Sequence, residues 1–313
     1  MSRARVGRWR WRRRSCRRRR GRSPRTRGAG RGRRGRLRRK RSPRRRSSTR
    51  HRGSAGRGSG RWLARSCAGC MLGAVSSPQR GPASNAFNEA FLTGIEGTTE
   101  IVLVRHGQQS VPNLPNAKLG DSVDAPLSDL GREQARLVGE RFATERVDAL
   151  YSSGMRRAFD TGAAIGGHHG LEPVVIDDLQ EIGMFRDVPR DQTAAEALGI
   201  DYLAGLRKRM ARERSWDVFP LTEPSAEFQK RVVNAIEGII ARHAGETARV
   251  VIACHGGVIN AYTGYVIATD FDMFFRPAHT SVHVVLAKGH SRALQSLNDT
   301  HHLQTAEGSF VTY

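Results

Sequence analysis

The chain has 313 residues and a formal net charge of +24, yet that charge is confined to one end. Thirty Arg and one Lys precede Glu89, the first acidic residue, leaving 22 basic against 29 acidic residues, a net −7, from there to Tyr313. This excludes a basic surface spread over the whole molecule and restricts a buried core to residues 96–313, about 220 residues that suit one α/β domain.

Residues 1–95 form a Gly-, Ser- and Arg-rich tail with too few apolar side chains to offset its ordering entropy, so the tail is expected to be disordered. Runs such as Arg17 to Arg20 and Arg44 to Arg46 suit a polyanion, bound through counterion release with strong salt dependence. The tail is the only part expected to touch nucleic acid. Two other readings stay open beside that one. A start taken too early in a GC-rich frame yields this composition, with Met71 as a later start, and an Arg- and Ser-rich, acid-poor leader also fits an organellar transit peptide. Of the four cysteines, Cys16, Cys67, Cys70 and Cys254, only Cys67 and Cys70 have metal-like spacing, and one pair cannot complete a zinc site. The apolar patch from Cys67 to Val75 is too short for a membrane span, so no membrane partner and a cytoplasmic location are expected.

The body then alternates strands and helices. Glu100 to Val104 is an apolar strand running into Arg105-His106-Gly107. After a polar loop through Pro112, Pro115 and Gly120, Ser128 is placed to cap a helix over Asp129 to Ala143, whose apolar side is Leu130, Ala135, Leu137, Val138 and Phe142. A strand at Asp148 to Tyr151 meets Ser152 to Arg157, and a helix follows to about Gly166. Pro173 to Ile176 reads as a third strand, ending in the acidic loop Asp177 to Glu181. Residues 184 to 224 are irregular to helical. A helix over Ala226 to His243 precedes the strand Arg249 to Cys254, which ends in His255-Gly256-Gly257, and Val258 to Ala268 is the helix behind it. Ser281 to Ala287 and Ala293 to Leu297 close the chain as two strands, placed to add an antiparallel edge. Strands separated by helices need crossover connections, so the fold class is α/β: a three-layer sandwich with a mostly parallel central sheet and helices on both faces.

In such a sheet, ligands bind beyond the carboxyl ends of the strands, where residues distant in sequence converge. Arg105, His106, Arg157, Glu181 and His255 all end or follow strands, and together they match the needs of phosphoryl transfer. Arginine forks fit phosphate oxygens, a neutral imidazole nitrogen is a competent nucleophile near neutral pH, and one carboxyl group can protonate a leaving alkoxide and then deprotonate water. Gly107 and Gly256 allow close backbone approach to an anion. Arg156 competes with Arg157 for the phosphate, and Asp177 and Asp178 compete with Glu181 for the proton transfer. Cys254 is expected to be a small buried residue. His168, His169, His243, His279, His283, His290, His301 and His302 stand in no comparable setting and are expected to be surface or structural.

The two His-Gly junctions resemble the histidine phosphatase superfamily, also called phosphoglycerate-mutase-like. The resemblance spans roughly residues 98 to 300 and includes Leu127-Ser128-Asp129-Leu130-Gly131 with Gln134-Ala135, Ser152 to Ala158 with Thr161, and Leu179-Gln180-Glu181. It implies His106 as nucleophile, Glu181 as proton donor, and Arg105, Arg157 and His255 as the phosphate pocket; Gly107, Ser110 and Gly256 are expected as further substrate-binding positions. It also favours Arg157 over Arg156 and Glu181 over its acidic neighbours. Many relatives continue with Glu and later Trp-Asn, whereas here Gln108-Gln109-Ser110-Val111-Pro112-Asn113 stands, which resembles an Arg-His-Gly-Gln subgroup of phosphatases. The usual asparagine position is Pro112 and Asn113 comes one step late, so Ser110 and Gln108 are the alternative donors.

The resulting expectation is a metal-independent phosphomonoester hydrolase that forms a phosphohistidine, uses no cofactor, and acts on a small phosphorylated metabolite or phosphoprotein. The alternatives are a phosphoglycerate-type mutase, against which the missing Trp-Asn counts, and a polyanion-binding protein with a silent scaffold domain. Residues 108 to 125 and 184 to 224 are where substrate choice would reside.

Overall fold

A computed structural model describes residues 86–111, 117–306 and 308–313. The expectations for the Arg-rich tail up to residue 85, and for Pro112 and Asn113, lie outside the described residues. A six-stranded sheet has the order β3-β2-β4-β1-β5-β6, with β1 Thr99–Arg105, β2 Ala149–Ser152, β3 Val174–Val175, β4 Arg249–Cys254, β5 Val282–Lys288 and β6 Ser291–Asp299. The first four strands in that order run parallel, whereas β5 pairs antiparallel with β1 and β6 antiparallel with β5.

Alternation along β1 assigns the two faces of the sheet, because successive side chains of a strand point to opposite sides. Ile101 and Leu103 pack with Phe228, Val232 and Ile236 of α6 (Ser225–Arg242) and with Val258, Ile259 and Tyr262 of α7 (Gly256–Ile267). Val102 and Val104 pack on the other side with Val138 and Phe142 of α2 (Asp129–Phe142) and Ile165 of α3 (Arg156–Gly166). Ser128 caps α2, its hydroxyl accepting from the Gly131 amide at 3.0 Å. Cys254 is fully buried, as its place in β4 requires.

The stretch from 184 to 224 resolves into α4 (Ala194–Leu198), α5 (Ile200–Glu213) and a short turn at Trp216–Val218. Before β1, the helix α1 (Ala86–Phe91) leads into Leu92, which is buried against Leu286 and Ala293 of β5 and β6. No helix among the described residues is long and apolar enough to cross a membrane.

Candidate active site

Parallel pairing of β1 and β4 sets the site. The register matches Arg105 with Cys254, so both strands stop at the same level and His106 and His255 leave the sheet side by side. Their rings lie 5.1 Å apart between centroids, and both residues are buried. The His106 amide donates to the Cys254 carbonyl at 2.9 Å, which extends the ladder one residue beyond β1 and holds the two imidazoles together.

His106 Nδ1 lies 2.7 Å from the Gly107 carbonyl oxygen, which can only accept, so the ring proton belongs on Nδ1 and Nε2 keeps its lone pair. That lone pair accepts from Arg157 Nε at 3.2 Å. Burial, followed by the fields of His255, Arg157 and Arg105, holds the His106 pKa well below its ordinary 6.5, so the ring is neutral at pH 7. His255 is held neutral by burial and the same two guanidinium groups. Its Nε2 pairs with Ser153 Oγ at 2.9 Å, while its Nδ1 is buried without a hydrogen-bond partner, as is Arg105 Nε. Two unpartnered polar nitrogens beside a neutral imidazole form a set suited to anion oxygens.

Arg105 donates through Nη1 to the Pro277 carbonyl at 2.5 Å, and burial lowers its pKa to about 10, which leaves it charged at neutral pH. Arg157 is 4% exposed and is fixed by Val123 O and Met155 Sδ as well as His106, whereas Arg156 points outward to an exposed ion pair with Asp124. Geometry thus separates the two adjacent arginines. Glu181 sits deeper than Asp177 and Asp178, which are exposed at the cleft rim. The Glu181 carboxylate accepts from the amides of Ile182 and Gly257, each at 3.1 Å. From α6, Arg231 donates to the carbonyls of Asp178, Gln180 and Glu181 while gripping Glu223 with two nitrogens at 2.8 and 2.9 Å, so one guanidinium pins the whole loop.

Arg105, His106, Arg157, Glu181, Glu223 and Arg231 line a cleft of about 1190 Å³ that also takes in Gln108, Ser110, Arg186 and Arg190. Ser110 is exposed, with its amide bonded to Pro126 O at 2.7 Å. Gln108 turns its carbonyl oxygen to the Ser128 hydroxyl at 2.9 Å. The Gly107 amide donates to Thr161 Oγ1 at 3.0 Å, so this glycine serves the site through its carbonyl and its lack of a side chain. Gly256 lies against Arg105. Among the described residues, no group of three or more His, Cys, Asp or Glu is placed to hold a metal ion.

A model of the histidine phosphatase superfamily (branch 1) matches residues 101–300. The chain belongs to the histidine phosphatase superfamily. It is 31% identical over 170 residues to phosphoglycerate mutase-like protein 4 of Arabidopsis thaliana, covering 52% of this chain and 68% of that protein. It is 30% identical over 179 residues to glucosyl-3-phosphoglycerate phosphatase of Mycolicibacterium vanbaalenii, covering 55% and 76%. Among solved structures, mycobacterial hydrolase 1 superposes with a TM-score of 0.54 at 25% identity, over 65% of this chain and 99% of that one.

In this histidine phosphatase superfamily member, one side chain at the site carries no sequence signature. His279 lines the cleft with its ring 5.8 Å from that of His106. The residue lies in an unpatterned stretch, and the only signal was topological. If the strand after it runs antiparallel to β1, that strand must begin where β1 ends. Of the other histidines expected to be structural, His283 and His302 are indeed bonded through both ring nitrogens, to Ser281 and Asn298 and to Thr280 and Arg141.

Proposed function

We propose that the chain is a metal-independent phosphomonoester hydrolase that works through a phosphohistidine at His106 and acts on a small phosphorylated metabolite or phosphoprotein. The observation that carries this reading is the His106 ring itself, neutral, with its proton on Nδ1 against Gly107 and its Nε2 lone pair turned to Arg157. An incoming phosphoryl group takes over that hydrogen bond, since Arg157 then donates to a phosphoryl oxygen and Nε2 becomes free to attack phosphorus. As the N–P bond forms, the ester P–O bond breaks and the leaving oxygen takes a proton from the Glu181 carboxyl group. Water then attacks phosphorus, giving its proton back to Glu181 as the N–P bond breaks. Arg105 and Arg157, with the free nitrogen of His255, supply the fixed donors that the equatorial oxygens need in both steps.

The relative named glucosyl-3-phosphoglycerate phosphatase supports a small phosphorylated metabolite as the substrate class. The test is His106→Ala, assayed on an aryl phosphate and by acid-labile labelling of the protein. Both activity and label are expected to vanish. Undiminished turnover in that variant discards the mechanism, and isomerisation of a sugar-acid phosphate with a bisphosphate primer would make the chain a mutase instead.

A further inference from the structure

The C-terminal residues fold back over the Arg-His-Gly loop through one carboxamide. Gln134, fully buried on α2, accepts the Gln108 amide at 2.8 Å through Oε1, and this fixes its nitrogen toward the Phe310 carbonyl at 2.7 Å and Thr312 Oγ1 at 2.8 Å. The assignment is forced from both ends, because a backbone N–H can only donate and a carbonyl can only accept. Thr312 Oγ1 therefore receives a proton from Gln134. Its own proton can go to His279 Nδ1, at 2.8 Å. With Nδ1 accepting that proton, His279 carries its own on Nε2.

The surroundings of His279 differ from those of the structural histidines. His283 and His302 use both ring nitrogens within the protein, whereas His279 commits only Nδ1 and shows no partner for Nε2 among the described residues. The backbone is also held for it. Thr280, the next residue, has φ +53°, a left-handed conformation that strains a β-branched residue. The His302 bond to Thr280 Oγ1 and the His279 amide bond to Thr312 O at 2.9 Å keep that turn in place.

We propose that His279 is a substrate-binding residue, whose Nε2–H donates to an oxygen of the phosphoryl group held beside His106. This deepens, and rests on, the phosphohydrolase reading above. The His279–His106 ring separation of 5.8 Å is close to the 5.1 Å between His106 and His255, and His106 and His279 line the same cleft. Burial, with Arg105 and Arg276 adding to it, lowers the His279 pKa to about 3, and the ring acts as a neutral donor.

Inorganic phosphate binding to the full chain tests this. His279→Ala is expected to weaken binding about ten- to a hundredfold, the loss for one hydrogen bond to a charged group. His279→Gln, whose amide nitrogen reaches the place of Nε2, is expected to recover most of it. In the wild type, nitrogen NMR of labelled histidine is expected to show His279 protonated at Nε2, with that proton shifting as phosphate is added. Unchanged affinity in His279→Ala, or a proton on Nδ1, overturns the proposal while leaving the hydrolase reading intact. A wild-type chain that binds no phosphate overturns both.

Discussion

The carboxylate of Glu181 rests 3.1 Å from the amide nitrogen of Gly257, in space that a Cβ at that glycine would occupy. The atom in the way is the end of a flexible side chain, so Gly257→Ala is expected to fold with its stability nearly unchanged while displacing the carboxylate. Turnover of alkyl phosphates, whose poor leaving group needs a proton, should fall about 100- to 10,000-fold, as it should in Glu181→Gln, with a much smaller loss on an aryl phosphate. Steady-state assays of both ester types check this, and equal losses on the two would remove Glu181 from proton transfer.

Arg231 holds the loop of Glu181 by three carbonyls and a bidentate pair with Glu223. Lysine keeps the charge but not the fork. Arg231→Lys is therefore expected to lower alkyl phosphate turnover about tenfold, the equivalent of roughly 1.4 kcal/mol of transition-state stabilisation, and to leave aryl phosphate turnover almost intact. A combined Arg231→Lys and Glu181→Gln variant should be no worse than Glu181→Gln alone. Additive losses in the double variant would show that Arg231 acts elsewhere.

Gly107 lies where any Cβ would overlap the carbonyl oxygen of Gly131, a backbone atom that cannot swing aside. Gly107→Ala should force the loop after β1 away from α2 and cost about 1–3 kcal/mol of stability. It should also shift the carbonyl that holds the His106 proton. Urea unfolding measures the first effect, and a midpoint equal to that of the wild type would contradict the close contact.

Burial lowers the pKa of both His279 and His283 to about 3, against 6.5 in the unfolded chain. Below pH 6.5 the unfolded chain takes up protons that the folded chain refuses. Their contribution to stability is thus fully present above about pH 6.5 and is lost as pH falls from there toward 3. Between pH 7 and 5.5, above the range where ordinary carboxylates titrate, each should cost about 1 kcal/mol, and His106 and His255 act in the same direction. Urea midpoints at the two pH values test this, and a stability that is flat or rises on acidification would count against neutral buried histidines.

The strand-to-histidine junctions, the capped helix after Ser128 and the alternation of strands with helices were legible in the sequence because each rests on local signals. An apolar run such as Ile101 to Val104 marks a doubly buried strand whatever lies next to it. The two closing strands β5 and β6 were legible as strands, while their antiparallel pairing, open in the sequence, came from the register with β1. The adjacent arginines were not separable by local pattern, since both begin α3, and only packing buries Arg157 against His106 while Arg156 meets solvent and Asp124.

The sequence by itself determined the class of fold, the two strand ends that carry imidazoles and the residue types available for phosphoryl transfer. Tertiary structure alone decided that Glu181 lies on Gly257, that Arg231 pins its loop, and that His279 reaches the cleft through Thr312 and Gln134. The physical reason is separation along the chain. Periodicity reports which face of an element is buried, but the partners of a side chain come from strand order and register, and these join residues as far apart as Glu96 and Lys288, 192 positions.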